Sequence, residues 1–254
     1  MKKTYKENNT LSIRNLHVTI ERNPIVAGVS IAIRPGEIHL LMGPNGSGKS
    51  TLLNALAGHP RCNVQSGSIV LDGVALKNLP PHKRAQKGLF LGFQQPVDIP
   101  GVTLAHFLRT AKNIQARTAR EEQLSPTAFA TSFKEILRTL AMDGRFGGRQ
   151  VNAGLSGGEK KRSELLQMVV LKPRYALLDE CDSGLDVDAV REVCRVIAEE
   201  AKKGVGFLLV SHNPALADLL PIDAVHVMRS GKIVANGGRD ILARITEKGY
   251  ADTN

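Results

Sequence analysis

The sequence predicts an α/β protein with a mainly parallel β-sheet, and two observations support this. Segment 43–50 matches the pattern G-x-x-x-x-G-K-[ST], with an apolar strand (38–42) before it and a helix (51–57) after it. Apolar runs then alternate with segments of helical periodicity through the second half of the chain. Repeated strand–helix units favour a parallel sheet covered by helices on both faces.

The N-terminal third of the chain predicts strands and tight turns. Strands are expected at 11–20, 25–33, 38–42, 68–71, 75–76 and 89–93. The polar segment 21–24 separates the first two runs and indicates a β-hairpin. Asp72-Gly73 is a strong hairpin turn signal, and Pro35-Gly36 turns the chain into the strand at 38–42.

The remaining sequence predicts a helical insert and then more strand–helix units. Between about 96 and 154, apolar residues recur at helical spacing. After it we expect helices at 161–171, 187–202 and 239–246, strands at 175–178, 205–210 and 224–228, and a hairpin around Ser230-Gly231-Lys232. We therefore expect one domain, with a core of about 11–95 and 172–254 and a helical subdomain of about 96–171.

Composition is that of an ordinary soluble globular protein. The chain has 254 residues, 42% of them hydrophobic and 23% charged. No run approaches the roughly 18 apolar residues of a membrane span, so no direct membrane insertion is expected. The polar residues 1–10 lack an apolar signal core and predict a short disordered lead-in to a cytoplasmic protein.

The charge distribution and the cysteine spacing argue against two classes, nucleic-acid-binding proteins and proteins held by disulfides or cysteine-bound metals. The net charge is +10, but the basic residues are spread along the chain and there is no Trp, so we expect no nucleic-acid partner. The three cysteines, Cys62, Cys181 and Cys194, show neither pairing nor metal-ligand spacing, which fits a reducing compartment. We interpret Cys181 as a packing residue.

The G-x-x-x-x-G-K-[ST] segment predicts a site for the phosphates of ATP or GTP. The predicted nucleotide-binding residues are Gly43, Pro44, Asn45, Gly46, Ser47, Gly48, Lys49, Ser50 and Thr51. The glycines allow the backbone N–H groups to point inward at a polyanion. Lys49 can reach the β- and γ-phosphates, and the Ser50 hydroxyl can ligate Mg²⁺. The N-terminus of the following helix adds its dipole.

A second anion-binding segment follows the helical insert. Ser156-Gly157-Gly158-Glu159 opens the helix predicted at 161–171. Unencumbered backbone N–H groups, one hydroxyl and a helix N-terminus favour phosphate binding, although Ser-Gly-Gly alone is usually just a helix cap.

Polar residues at the ends of three predicted strands complete the candidate site. Asp179 is placed to hold the Mg²⁺ shell near Ser50, through water, and Glu180 can polarise a water for attack on the γ-phosphate. His212 is a candidate γ-phosphate contact. The Gln94 amide can touch both Mg²⁺ and the attacking water. The predicted catalytic set is therefore Lys49, Gln94, Glu180 and His212.

These segments lie in the order seen in ABC-type ATPases, and the chain resembles that family over roughly residues 11–250. The resemblance implies a RecA-like, mainly parallel core with an N-terminal antiparallel β subdomain and a helical subdomain. It also implies a transient dimer that sandwiches two ATP molecules, in which Ser156, Gly157, Gly158 and Glu159 contact the ATP of the other copy. The D-loop of the family falls on Ser183, Gly184, Leu185 and Asp186.

Within that family the chain is most similar to SufC proteins, the cytosolic ATPases of the SUF iron–sulfur cluster assembly system. Ile-Pro-Gly-Val at 99–102 and Glu-Lys-Lys-Arg at 159–162 carry this similarity more than the ATP-binding segments, which transporter subunits share. The resemblance implies SufB- and SufD-like scaffold proteins as partners. The chain departs from SufC proteins at Cys181, at 211–213 and in the insert near 116–130, and 18–25 lacks an aromatic residue for stacking on adenine.

Two other functions remain open at this point. A nucleotide-binding subunit of a membrane transporter would carry the same catalytic residues. An ATP-gated nucleic-acid or translation-factor protein is favoured only by the positive charge, and such proteins normally carry two ATPase domains, a coiled coil or zinc modules that this sequence does not show.

Overall fold

The computed structural model describes residues 9–250, without the side chains of Thr246 and Lys248. Of the N-terminal lead-in predicted at 1–10, residues 1–8 lie outside the described residues. The strands are β1 (Leu11–Ile20), β2 (Asn23–Ile33), β3 (Ile38–Met42), β4 (Asn63–Leu71), β5 (Val74–Ala75), β6 (Leu89–Gly92), β7 (Ile99–Thr103), β8 (Gln150–Val151), β9 (Tyr175–Asp179), β10 (Gly206–Val210), β11 (Ala224–Arg229) and β12 (Lys232–Gly237). The helices are α1 (Lys49–Ala57), α2 (Pro81–Gln86), α3 (Leu104–Ala119), α4 (Pro126–Thr139), α5 (Gly157–Leu171), α6 (Val187–Lys202), α7 (Leu216–Leu219) and α8 (Asp240–Lys248), with a 3-10 turn at Gly144–Gly148.

A six-stranded sheet forms the centre of the molecule, in the order β12-β11-β3-β10-β9-β6. Its strands are parallel except for β12, which pairs with β11 in a hairpin. The prediction of an α/β fold with a mainly parallel sheet is confirmed. Because the strands are parallel, the carboxyl ends of β3, β6, β9 and β10 lie at one edge of the sheet, and the candidate site residues follow those ends.

Both faces of the central sheet are buried, which explains the continuous apolar runs of its strands. On one face, Leu41 and Leu208 pack in a cluster with α1 and with strands β1 and β2. On the other face, Leu40 and Leu209 pack in a cluster with α5, α6 and the insert helices. Alternation of side chains along each strand sends neighbouring residues into different clusters.

A second, antiparallel sheet is built from the N-terminal strands, in the order β2-β1-β4-β5. The β1–β2 hairpin turns over two residues, Glu21 (φ 50°) and Arg22 (φ 72°), instead of the four predicted at 21–24. Asn23 and Pro24 instead pair with β1. Pro24 is tolerated in β2 because β2 is an edge strand, where a missing N–H costs little.

The insert between β6 and β9 is helical as predicted, with one addition. Leu108 and Leu137 are buried, and the rings of Phe129 and Phe133 stack with centroids 5.3 Å apart. The structure adds a short antiparallel pair, β7 with β8, at the base of the insert. Among the described residues, no helix is long and apolar enough to cross a membrane.

Candidate nucleotide-binding and hydrolysis site

The phosphate loop connects β3 to α1. Gly43 has φ 147°, and a Cβ atom there would lie 2.0 Å from the carbonyl oxygen of Met228, so no other residue fits. Gly48, with φ 105°, precedes the first residue of α1, Lys49. The Gly231 N–H donates to the Ser47 carbonyl oxygen at 2.9 Å, so the β11–β12 hairpin supports the loop.

The charged residue of the phosphate loop, Lys49, is buried. Lys49 is 5% exposed, and its Nζ donates to the carbonyl oxygens of Gly43 (2.8 Å) and Pro44 (3.0 Å). Burial lowers the pKa of Lys49, and the carboxylates of Glu180 and Asp179 partly offset this. An ammonium group held by neutral carbonyls can be stabilised further by an anionic phosphate.

The carboxyl end of β9 faces the start of α1. Asp179 is 5% exposed, and its Oδ1 has no hydrogen-bond partner among the described residues. Burial raises the pKa of the Asp179 carboxyl, and a hydrogen bond with the Ser50 side chain counteracts the rise. The predicted neighbours Asp179 and Ser50 therefore meet. Carboxylate and hydroxyl oxygens are ligands that Mg²⁺ prefers, so this oxygen pair fits a Mg²⁺ ion.

Glu180 and His212 also come together. They follow the neighbouring strands β9 and β10, and Glu180 Oε1 lies 3.4 Å from His212 Nε2. Glu180 has φ 51°, a conformation that costs a non-glycine residue energy and is often found at functional sites. Its N–H donates to the carbonyl oxygen of Val210 at 2.9 Å, which fixes the residue at the sheet edge.

Gln94 lies two residues beyond the end of β6, next to β9. Its side chain is exposed, and its backbone carbonyl accepts a hydrogen bond from Lys161 at 3.2 Å. The backbone of Gln94 therefore lies near the same sheet edge as Asp179, whose carbonyl oxygen also bonds to Lys161, as the strand order requires.

The segment Ser156–Glu159 forms the N-terminus of α5. The Ser156 Oγ accepts from the Glu159 N–H at 3.3 Å, and a Glu159 carboxylate oxygen accepts from the Ser156 N–H at 2.8 Å, which makes a capping box. The other carboxylate oxygen of Glu159 bonds to Arg149. Within residues 9–250, no hydrogen bond or ion pair joins this segment to the phosphate loop.

The D-loop residues have local partners. Asp186 caps α6, since its Oδ1 accepts from the Ala189 N–H at 2.8 Å. Leu185 lies against Gly158, where a Cβ atom would be 3.6 Å from the Leu185 side chain. The D-loop and the Ser-Gly-Gly segment of one chain are therefore adjacent.

Sequence reasoning missed two sets of positioning contacts. Asp182 accepts from the Ser211 hydroxyl at 2.8 Å, and the same hydroxyl accepts from the Asn213 N–H at 2.9 Å, which fixes the loop that carries His212. Lys161 and Glu164 are charged but buried on α5. Two charged residues on the apolar face of a helix are a sequence signal that could have identified this pair.

Cys181 packs against the larger core cluster, and burial raises the pKa of its thiol. Both observations agree with its interpretation as a packing residue, since only thiolates are reactive or bind metals.

Comparisons with known proteins agree with this geometry. Residues 26–183 match the family described as ABC transporter. The chain is 44% identical over 242 residues to "Vegetative protein 296" of Bacillus subtilis, covering 95% of this chain and 92% of that protein. It is 42% identical over 240 residues to the "Probable ATP-dependent transporter ycf16" of Trieres chinensis, covering 94% and 96%.

Solved structures share the fold. An ATP-binding subunit of an ABC transporter superposes with a TM-score of 0.78 at 25% identity, covering 96% of this chain and 95% of that one. A dimeric ATP-binding cassette in a post-hydrolysis state, bound to ADP and Pi, superposes with a TM-score of 0.77 at 19% identity, covering 90% and 98%. The antiparallel sheet and the central mixed sheet are thus those of ABC cassettes. The chain belongs to the ABC transporter ATPase family, and it is an ATP-binding and ATP-hydrolysing enzyme of the ABC type.

Proposed function

We propose that this ATPase drives iron–sulfur cluster assembly as one subunit of a complex with SufB- and SufD-like scaffold proteins. The observation that carries the proposal is the pair of segments 99–102 and 159–162, in which the chain resembles SufC proteins more than transporter subunits. The two segments adjoin in space, since Lys160 Nζ lies 2.7 Å from Oδ1 of Asp98, directly before Ile99. The cytoplasmic location predicted from the sequence belongs to the same proposal.

At the site, Lys49 stabilises the charge of the γ-phosphate, and Glu180 takes the proton of the attacking water. Gln94 and His212 contact the γ-phosphate and that water. Ser50, Gln94 and Asp179 would hold Mg²⁺, which supplies charge neutralisation at the phosphates. The adjacency of Ser50 and Asp179 and the contact between Glu180 and His212 support these roles.

Glu180→Gln tests the general-base role. We expect this variant to bind ATP and to hydrolyse it at least roughly 100-fold more slowly, the low end for loss of a general base. Turnover close to that of the wild type would remove Glu180 from the role. ATP binding is followed in parallel by the rise in melting temperature that the nucleotide produces.

Two copies of the chain would form the complete site, each supplying its phosphate loop to one ATP and its Ser156–Glu159 segment to the other. The exposed position of Ser156 and its lack of bonds to the phosphate loop of its own chain support this, as does the dimeric cassette with the same fold. The test mixes Lys49→Ala subunits with Ser156→Arg subunits. Each variant alone should be inactive, whereas mixtures should recover part of the activity. No recovery at any ratio would contradict a shared site.

A second candidate function is the nucleotide-binding subunit of a membrane transporter. The names of relatives favour it, because several carry the words "ABC transporter ATP-binding protein". Affinity purification of the tagged protein from its native cells, without detergent, separates the two. Recovery with soluble scaffold proteins, iron and sulfide would support cluster assembly. Recovery only from detergent extracts, with a polytopic membrane protein, would make the chain a transporter subunit.

A further inference from the structure

A buried lysine on α5 reaches from the helix to the strand ends of the hydrolysis site. Lys161 follows Ser156 by five residues and is 8% exposed. Its Nζ donates to the backbone carbonyl oxygens of Phe93 (2.9 Å) and Gln94 (3.2 Å), and lies 3.5 Å from that of Asp179. One ammonium group therefore bonds the carbonyls of the two peptide groups that flank the Gln94 Cα atom.

Glu164, one helical turn later, completes the contact. Its Oε1 accepts from the Phe93 N–H at 2.7 Å, and its Oε2 lies 3.8 Å from Lys161 Nζ. Burial raises the pKa of Glu164 to about 7, and the Lys161 charge opposes that rise. Together the two side chains bond the N–H and the carbonyl of Phe93 and the carbonyl of Gln94.

Packing alone does not explain this pair. Burying an ammonium and a carboxylate costs desolvation energy that a well-packed apolar pair would avoid, so a buried ion pair is weak evidence for a role in stability. Instead, the pair fixes the path of the backbone after β6, because its hydrogen bonds end on backbone groups of Phe93 and Gln94. The Phe93 side chain itself is 44% exposed and cannot anchor the loop by burial.

The same helix begins at Ser156. A helix moves as a rigid unit over its first turns, so a displacement of its N-terminus also displaces Lys161 and Glu164. The bonds to Phe93 and Gln94 then carry that displacement to the side chain placed at the γ-phosphate.

We propose that Lys161 and Glu164 are positioning residues that set the Gln94 side chain for hydrolysis and link it to the Ser156 end of α5. This inference rests on the role of Gln94 proposed above. Within residues 9–250, neither side chain forms a hydrogen bond with the phosphate loop, so loss of the pair should slow turnover and leave ATP binding largely intact.

Lys161→Met is the first test, with Lys160→Met as the matched control. The two lysines are adjacent in sequence, but the Lys160 ammonium pairs with the exposed Asp98. For Lys161→Met we expect kcat to fall on the order of 10-fold, as for a misplaced catalytic group, while KM for ATP changes less than about 2-fold. Lys160→Met should match the wild type in both constants. A wild-type kcat in Lys161→Met would overturn the proposal.

A double-mutant cycle with Gln94→Ala shows whether Lys161 acts through Gln94. In the Gln94→Ala background, adding Lys161→Met should lower kcat less than about 2-fold further, because the group that Lys161 positions is already absent. If adding Lys161→Met lowers kcat by the same factor in the wild-type and Gln94→Ala backgrounds, the inference is refuted. Separately, an unchanged kcat in Gln94→Ala alone would refute the proposed role of Gln94.

Glu164→Gln provides a second variant should Lys161→Met fail to fold. The amide oxygen can still accept from the Phe93 N–H, but the charge that pairs with Lys161 is lost. We expect a smaller fall in kcat, roughly 3-fold, again without a matching change in KM. An unchanged kcat here, or a loss confined to KM, would contradict the proposal.

Discussion

Replacing Arg84 by Met should destabilise the protein, because Arg84 holds the C-terminal end of α1, the helix that follows the phosphate loop. Arg84 lies on α2 and is 3% exposed. Its guanidinium donates to the carbonyl oxygens of Ala55 (2.8 Å) and Leu56 (2.7 Å) at the C-terminal end of α1. It also donates to those of Leu79 (2.8 Å) and Lys77 (3.1 Å). The last carbonyls of a helix lack a partner further along the helix. Here Arg84 satisfies that of Leu56 and gives a second bond to that of Ala55, which also accepts from the Gly58 N–H at 3.2 Å.

The size of the effect follows from these four bonds. Met fills similar space but donates no hydrogen bond, so the buried carbonyl of Leu56 loses its partner at about 1–3 kcal/mol. The carbonyl of Ala55 keeps its bond from the Gly58 N–H and loses one hydrogen bond, at about 1 kcal/mol. The other two carbonyls are partly buried and can take up water. We therefore expect a loss of about 3 kcal/mol, which lowers the melting temperature of a protein of this size by about 6–12 °C.

Thermal unfolding monitored by calorimetry or circular dichroism measures this loss. Lys83→Met is the matched control, because Lys83 is the exposed neighbour of Arg84 on the same helix. ATP should still raise the melting temperature of Arg84→Met, since Lys49 lies at the opposite end of α1. A melting temperature within about 2 °C of the wild type would show that the α1 carbonyls do not depend on Arg84.

Three further predictions concern other parts of the chain. Burial lowers the pKa of His226 from 6.5 to about 4 and also lowers that of its neighbour His39. As pH falls, both histidines therefore take up protons in the unfolded chain before they do so in the folded protein. The free energy of unfolding should therefore decline as pH falls from about 6.5 towards 4, by about 3 kcal/mol for His226, and less steeply in His226→Gln. Gly43→Ala should lose ATP binding or fold poorly, as checked by nucleotide-induced thermal shift, because its Cβ would strike the Met228 carbonyl. Asp186→Ala should cost about 1 kcal/mol in urea unfolding through loss of the α6 cap, whereas Asp186→Asn should cost less.

Local sequence signals predicted some elements closely. Helix α6 has the predicted bounds, Val187–Lys202, because Asp186 caps a strongly periodic apolar pattern. The Asp72-Gly73 turn, the strand before the phosphate loop and the helix after it also form where they are predicted. In each case the determinants lie within a few residues of the element they specify.

Other features escaped prediction because their stabilising partners are distant in sequence. Helix α2 has six residues, too few for a clear periodicity, and Arg84 anchors it to α1. Strand β7 carries Pro100 and Gly101 and is paired only because the chain returns nearly fifty residues later as β8. The β1–β2 turn is tighter than predicted because pairing with β1 recruits Pro24 into the edge strand.

By itself, the sequence determined the residue types of the site and the strand ends they follow. A loop that must curl around a polyanion needs glycines, and parallel strands place their carboxyl ends at one edge. Only the tertiary structure decided which groups meet there. It placed Glu180 beside His212, Asp179 beside Ser50, and Lys161 under the Gln94 backbone. Such contacts depend on strand order and helix docking, which arise from burial summed over the whole chain and which no short segment encodes.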